Sequence, residues 1–188
     1  MARPASAPDL LISVQHPTTI TVGRRGGEGA IHSRELHGAA VPVFEIGRGG
    51  SVTCHTPGQL VIYPVVQLSR MQAPLGGGTL GDLGAYARTL EAAMMATCAH
   101  FGLQTRARPG FAGLWVDDNT KIGSLGVGMR RGWTCHGLAL NVRPDLAAFE
   151  LITPCNLAGV KMTSLHHELG RAHKPLPGLD AVADDLLA

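Results

Sequence analysis

The sequence predicts one domain of the mixed-sheet α/β class, close to α+β, spanning residues 1–188. Three observations predict it. Segments with strand character outnumber those with helical spacing, one long stretch alone carries apolar residues at a helical period, and no internal repeat or compositional break marks a second domain.

In chain order, residues 1–9 are expected to be flexible. Leu10 to Val14 and Ile20 to Val22 read as strands around the turn His16-Pro17-Thr18, and Val41 to Ile46 reads as another strand running into a glycine loop at Arg48-Gly49-Gly50. Leu60 to Val66 is an unbroken apolar run, the mark of a buried strand. Leu75-Gly76-Gly77-Gly78 breaks the chain. From Asp82 to Phe101, Leu83, Tyr86, Leu90, Ala93, Met94 and Cys98 fall on one side of a helix. Gly113 to Val116, Ile122 to Met129 and Cys135 to Val142 read as successive antiparallel strands, the last two joined by the turn Arg130-Arg131-Gly132. A short helix is expected over Leu146 to Leu151. Leu179, Val182, Leu186 and Leu187 mark a closing amphipathic helix, Leu179 to Leu187, after the proline-rich link Lys174 to Pro177.

Composition narrows the function classes. With 45% hydrophobic and 16% charged residues, the chain is clear of disorder. A net charge of +2 without a basic run argues against nucleic acid. Met1 to Asp9 runs straight into a short strand, so no signal peptide is read, and no apolar stretch approaches the roughly 20 residues of a membrane span. Four cysteines without framework spacing suit a reducing compartment. The expectation is a cytoplasmic, monomeric enzyme without nucleic-acid or membrane partners.

The residues that suggest chemistry are Cys155, at an apolar strand-to-loop junction in Leu151-Ile152-Thr153-Pro154-Cys155-Asn156, and Lys121, in the glycine-rich run Lys121-Ile122-Gly123-Ser124-Leu125-Gly126. A free thiol with a pKa of about 8.5 is only slightly ionised at neutral pH, so a nearby ammonium raises its reactive fraction. Taken alone, Cys155 reads first as a buried structural thiol, the commonest fate of an unpaired cysteine. The segment Arg48 to His55 reads as a loop, and its adjacent glycines let backbone approach a ligand closely, or simply turn a hairpin. Two Cys-His dipeptides, Cys54-His55 and Cys135-His136, raise zinc. Neighbours on a strand point to opposite faces, however, and the paired spacing of zinc ligands is missing, so no metal is expected.

The run Arg48-Gly49-Gly50-Ser51-Val52-Thr53-Cys54-His55-Thr56-Pro57-Gly58-Gln59-Leu60-Val61-Ile62-Tyr63-Pro64 resembles the signature of the lipoyl(octanoyl) transferases. Further blocks follow in order: Lys121 to Gly126 is similar to the family's lysine motif, Gly132 to Val142 to its His-Gly-x-Ala-Leu-Asn strand, and Thr153-Pro154-Cys155 to its nucleophile motif. Gln15-His16-Pro17 and Val22-Gly23-Arg24 resemble its first hairpin, and Thr163-Ser164-Leu165 its late helix start. The resemblance covers about residues 10 to 170. It departs at Asn156 and Thr56, which stand where relatives usually have glycine, and in lacking the usual first helix before Leu10.

The resemblance implies the biotin and lipoate ligase-like fold and a reaction in two halves. Cys155 takes an octanoyl group from the phosphopantetheine thioester of acyl carrier protein, and a lysine of a lipoyl domain, on a 2-oxoacid dehydrogenase or the glycine-cleavage H protein, then takes it from Cys155. Lys121 is implied as the proton acceptor, an amine that desolvation keeps neutral for part of the cycle. Substrate contact is implied for Arg48, Gly49, Gly50, Ser51, Val52, Thr53, Cys54, His55, Ser124, Leu125, Gly126, His136, Gly137, Leu138 and Ala139. Cys54 and Cys135 read as small packing residues facing away from the slot. Leu60, Val61, Ile122 and Leu138 are candidates to line it. An eight-carbon chain in a closed apolar slot gains up to roughly 5 kcal/mol. No cofactor is expected beyond the phosphopantetheine that the donor carries. Two other readings stay open: an ATP-dependent lipoate or biotin ligase that needs no cysteine, and a non-catalytic acyl-binding relative.

Overall fold

The computed structural model describes residues 4, 7–71, 82–154, 157 and 159–188. The chain break at Leu75 to Gly78, most of the amino-terminal nine residues, Cys155 and Asn156 lie outside them. In chain order the strands are β1 (Leu10–Val14), β2 (Thr19–Val22), β3 (Glu35–Leu36), β4 (Ala39–Ala40), β5 (Val43–Glu45), β6 (Val52–His55) and β7 (Gln59–Val65). After helix α1 (Leu83–His100) come β8 (Arg106–Arg108), β9 (Phe111–Trp115), β10 (Thr120–Arg130), β11 (Trp133–Asn141) and β12 (Lys161–Met162), then helices α2 (Leu165–Arg171) and α3 (Leu179–Leu187).

A seven-stranded sheet in the order β1-β7-β11-β10-β9-β8, with β12 also on β10, is covered on one face by α1. Tyr86, Leu90, Met94 and Cys98 recur one helical turn apart on α1 and are all buried. Asp82 caps the helix by accepting from the Gly84 amide at 2.8 Å. Against that stripe lie Leu60 and Ile62 of β7, Leu114 of β9, Ile122 of β10 and Leu138 and Leu140 of β11. Leu165 and Leu169 of α2 and Val182 of α3 complete the core. The β10–β11 hairpin turns on Arg131 and Gly132, both with positive φ, as a two-residue hairpin requires.

A smaller sheet, β5-β2-β6, stands beside the large one. Its strands are three or four residues long, and alternation decides their two faces. Ile20 and Val22 of β2 and Val52 and Cys54 of β6 point into a second core with Phe149 and Leu151 of a 3-10 turn at Leu146–Leu151 and with Ile152, which follows it. The other face carries Thr21, Thr53 and His55. The Gly49 amide donates to the Val127 carbonyl at 3.0 Å, tying the small module to β10. Arg48, itself buried, donates from Nη2 to the Thr21 carbonyl at 2.7 Å and hydroxyl at 2.9 Å.

Two expectations are corrected here. Val41 to Ile46 is not all strand: Pro42 has no N–H to give a ladder, and β5 spans only Val43–Glu45. The run from Arg48 to His55 is not all loop, since Val52–His55 pairs antiparallel with β2 in the register Val22↔Val52 to Thr19↔His55.

Candidate active site

Between the two sheets lies a cavity lined from both sides. The small module contributes Ile46, Arg48, Gly50, Ser51, Thr53 and His55. The large sheet contributes Val61 and Tyr63 of β7, Ser124, Leu125 and Gly126 of β10, and His136, Gly137, Leu138 and Ala139 of β11. Motifs distant in sequence are thus brought to one space. Its walls are apolar at Ile46, Val61, Leu125, Leu138 and Ala139 and polar at Arg48, Ser51, Thr53, His55, Tyr63 and His136.

The strand pleat sorts the expected binding residues. Thr53 and His55 face the cavity, whereas Val52 and Cys54, the alternate positions, are fully buried in the second core and do not line it. Gly49 does not line it either; its backbone bonds to Val127. In β7 the same rule separates Val61, a cavity wall, from Leu60, which packs under α1. Ile122 likewise belongs to the helix-side core. Cys54 and His55 point to opposite faces of β6. Burial pushes the Cys54 thiol up to about 12, and it also raises Cys135, so both are protonated, poorly reactive thiols at neutral pH.

Small residues keep the floor open. A Cβ at Gly137 would stand 2.1 Å from the Ile62 carbonyl oxygen, so only glycine lets β7 and the β11 floor approach this closely. His136, just before it, has φ of 60° and a pKa lowered by burial and then by the Arg48 and Arg24 charges. Desolvation takes His55 down to about 4, so it is neutral at pH 7. Its ring stands 5.5 Å from that of His16, whose Nε2 is 2.6 Å from the Tyr63 hydroxyl. Tyr63, Ile46 and His16 were missed by sequence reasoning; the alternation of Tyr63 with Val61 was the signal for the first.

Lys121 is 1% exposed, a rare state for a lysine. Its Nζ donates to the Ala112 carbonyl at 2.9 Å and lies 5.2 Å from the Trp115 ring centroid, a cation–π distance. Gly113 makes this possible: a Cβ there would be 2.7 Å from Lys121 Cε and 2.4 Å from the Gly123 carbonyl. The Gly113 amide is in turn held by Glu91 Oε1 of α1 at 2.8 Å. A glycine opening a strand was the one sequence signal of this cradle.

The segments flanking positions 155 and 156 are anchored on both sides. Upstream, Ile152 bridges Ile31, the Thr153 amide donates to the Ala30 carbonyl at 2.7 Å, and His32 Nε2 lies 2.8 Å from the Thr153 hydroxyl. Downstream, β12 runs parallel to β10 with Met162 opposite Lys121, and the Thr163 amide donates to the Lys121 carbonyl at 2.9 Å. Chain thus leaves the small module and returns to the large sheet alongside Lys121.

The sequence matches the lipoyl protein ligase A/B catalytic domain over residues 2–187. It is 39% identical over 176 residues to the octanoyltransferase of Desulfovibrio desulfuricans, covering 93% of this chain and 69% of that protein. To the octanoyltransferase of Mycobacterium leprae it is 43% identical over 175 residues, covering 90% and 70%, and to that of Chloroflexus aurantiacus 40% over 184 residues, covering 96% and 77%. Among solved structures, lipoate-protein ligase A bound with ATP superposes with a TM-score of 0.72 at 15% identity, over 97% of this chain and 71% of that one. A bi-partite lipoate protein ligase from Thermoplasma acidophilum does so with a TM-score of 0.72 at 15% identity, over 97% and 70%. These two establish the lipoate ligase fold.

Proposed function

This chain belongs to the lipoyl protein ligase A/B catalytic domain family, and we propose that it is an octanoyltransferase that loads lipoyl domains through an acyl-enzyme on Cys155. What carries this reading is one juxtaposition. Strand β10, which holds buried Lys121, also gives Ser124, Leu125 and Gly126 to the cavity, and the chain beyond the nucleophile motif returns to pair with β10 at Met162.

The donor is octanoyl-acyl carrier protein. The Cys155 thiol gives its proton to Lys121 Nζ, and the thiolate attacks the thioester carbonyl. The bond to the carrier sulfur breaks, and that sulfur takes the proton from Lys121. Thioester for thioester is nearly isoenergetic, so this half is a matter of positioning and of stabilising the oxyanion. In the second half a lipoyl-domain lysine, as the free amine, attacks the acyl-enzyme carbonyl. Its surplus proton passes by way of Lys121 to the Cys155 sulfur as the C–S bond breaks, and the stable amide drives the transfer.

The cavity supplies the acyl slot, with Val61, Leu125, Leu138 and Ala139 against the methylenes and Arg48, Gly50, Ser51, Thr53, His55 and His136 toward the polar end. Buried methylenes contribute about 0.8 kcal/mol each, so slot depth sets the preferred chain length. The thiols of Cys54 and Cys135, held protonated by burial, do not compete for the acyl group.

Incubation with octanoyl-acyl carrier protein followed by intact-mass spectrometry tests the reading. The wild-type chain is expected to gain one octanoyl group on Cys155, Lys121→Met to gain it at least about a hundredfold more slowly, and Cys155→Ala not at all. A wild type without adduct, or a Cys155→Ala chain that still acylates a lipoyl domain given ATP and the free acid, would replace it with an ATP-dependent ligase.

A further inference from the structure

One side chain of the cavity is tied to the interior by an unbroken line of hydrogen bonds. His55 Nδ1 is 2.7 Å from Gln59 Oε1, Gln59 Nε2 donates to Asn141 Oδ1 at 2.9 Å, and Asn141 Nδ2 donates to the Thr163 carbonyl at 2.9 Å. Gln59 is 1% exposed and Asn141 is fully buried, so neither amide has water as a substitute partner.

The line has a single sense of direction, set at its far end. A backbone carbonyl only accepts, so the Asn141 group beside Thr163 is the amide nitrogen and the one beside Gln59 is the oxygen. Gln59 must then present nitrogen to Asn141 and oxygen to His55. An oxygen facing Nδ1 requires the proton on Nδ1, and in a neutral imidazole that leaves Nε2 bare. The orientation of each amide and the tautomer of the ring follow from one carbonyl three side chains away.

The line also ends beside the Lys121 backbone. Gln59 and Asn141 are direct partners across β7 and β11, and Leu140, beside Asn141, pairs with Gly123, two residues from Lys121. The Thr163 amide, on the residue whose carbonyl closes the line, donates to Lys121's own carbonyl.

We infer that Gln59 and Asn141 are positioning residues that lock His55 as the neutral Nδ1–H tautomer, so that substrate meets Nε2 as a hydrogen-bond acceptor at the Lys121 end of the cavity. This rests on the octanoyl-transfer reading, in which the N–H donor arriving at that end is the amine of the acceptor lysine. His55 receives a hydrogen bond from that amine and orients its lone pair toward the acyl carbonyl. The proton itself goes to Lys121, because an imidazole this hard to protonate is a poor base. The His16 ring faces it, Tyr63 and His136 share the cavity wall with it, Arg48 adds a fixed positive charge, and no carboxylate among the described residues lines the cavity to stabilise an imidazolium.

The test pairs ring-nitrogen NMR with pH-resolved kinetics on the full chain. In the wild type the His55 nitrogens are expected to show one neutral tautomer, protonated at Nδ1, from pH 5 to pH 8. Gln59→Glu places a carboxylate on Nδ1 and favours the imidazolium, turning Nε2 into a donor. Its kcat/KM for acyl transfer to a lipoyl domain should therefore fall about tenfold at pH 6 and recover toward the wild-type value by pH 9. Asn141→Leu frees the Gln59 amide to flip, so His55 should show mixed tautomers, with kcat lowered about tenfold and KM for the lipoyl domain little changed. A wild-type ring protonated at Nε2, or a Gln59→Glu loss uniform across pH, overturns the inference. The NMR result needs no variant to fold. Failure of the octanoyl-transfer reading shows separately, as a wild type without an adduct on Cys155 while the tautomer signal stands.

Discussion

The two sheets that enclose the cavity are built to different standards. The large one is over-determined: β10 and β11 run for 11 and 9 residues, α1 seals one face, and Leu60, Ile62, Leu114, Ile122 and Leu140 share one continuous core. The small one has strands of three or four residues and, among the described residues, a core of nine buried side chains, closed by a 3-10 turn. The rigid sheet holds the buried lysine and the cavity floor, while the small module carries the polar wall and the chain leading to the nucleophile motif. The cavity lies between a half braced by a long-strand core and a more lightly braced, more adjustable half. Fine positioning of the adjustable half then falls to a few bonds: Gly49 to Val127, Arg48 to Thr21, and His55 through Gln59 to Asn141.

Glycine substitutions sharpen that contrast most. Gly137→Ala in the large sheet drives a methyl to 2.1 Å from the Ile62 carbonyl and 2.7 Å from Pro64 Cδ, and neither strand has room to yield. We expect a loss of about 3 kcal/mol in urea unfolding. Gly50→Ala, in the loop of the small module, has φ of 87° and a nearest neighbour, the Arg48 guanidinium, at 3.2 Å, a contact that a few tenths of an ångström relieve. Its cost should be about 1 kcal/mol, the strain of one left-handed residue. Equal losses would mean that the halves are equally rigid.

Acid separates the halves next. His55 has an ordinary pKa of 6.5 in the unfolded chain and about 4 in the fold, so between those values the unfolded chain binds more protons. Stability from this group is therefore complete above pH 6.5 and is lost as pH falls toward 4. The expected loss is about 3 kcal/mol, read as the difference between urea-unfolding curves of wild type and His55→Asn at each pH. Parallel curves for the two chains would place His55 in water rather than in the wall.

What the sequence made legible follows the same division. Helix α1 and strands β7, β10 and β11 were read nearly to their ends, because 18 residues of 3.6-period spacing and long apolar runs carry enough repeats to be unambiguous. Strands β3, β4, β8 and β12 were not seen, since two or three residues carry no period. In Val52–His55 the glycines just upstream drew the reading toward loop, although Val-Thr-Cys-His already alternates. That alternation is why Val52 and Cys54 turn into the core while Thr53 and His55 turn to the cavity. In Leu60-Val61-Ile62 every residue is buried, so side-chain type cannot say which face meets the helix and which the slot. The cradle of Lys121 depends on Gly113 and Trp115 meeting it across a bulged register, a tertiary fact with almost no local trace.

The smallest effect tests the two faces of the slot directly. Val61 on β7 lines the cavity, and Val52 on β6 is of the same type but turned away into the second core. Val61→Phe adds volume inside the slot, where the far end of an acyl chain competes for it. Each methylene denied burial costs about 0.8 kcal/mol, roughly fourfold in kcat/KM. If two methylenes are displaced, octanoyl transfer falls by about fifteenfold while hexanoyl transfer is nearly unchanged, and the preferred chain shortens by two carbons. Val52→Ala instead leaves a void behind the polar wall. It should cost about 2 kcal/mol of stability and leave the octanoyl-to-hexanoyl ratio where it was. Competition between the two acyl donors at equal concentration, read by the mass of the product on a lipoyl domain, measures both ratios in one tube. A Val61→Phe chain that keeps the wild-type ratio would mean that the acyl tail does not run along β7, and a Val52→Ala chain that shifts it would mean that the second core, not the large sheet, sets the depth of the slot.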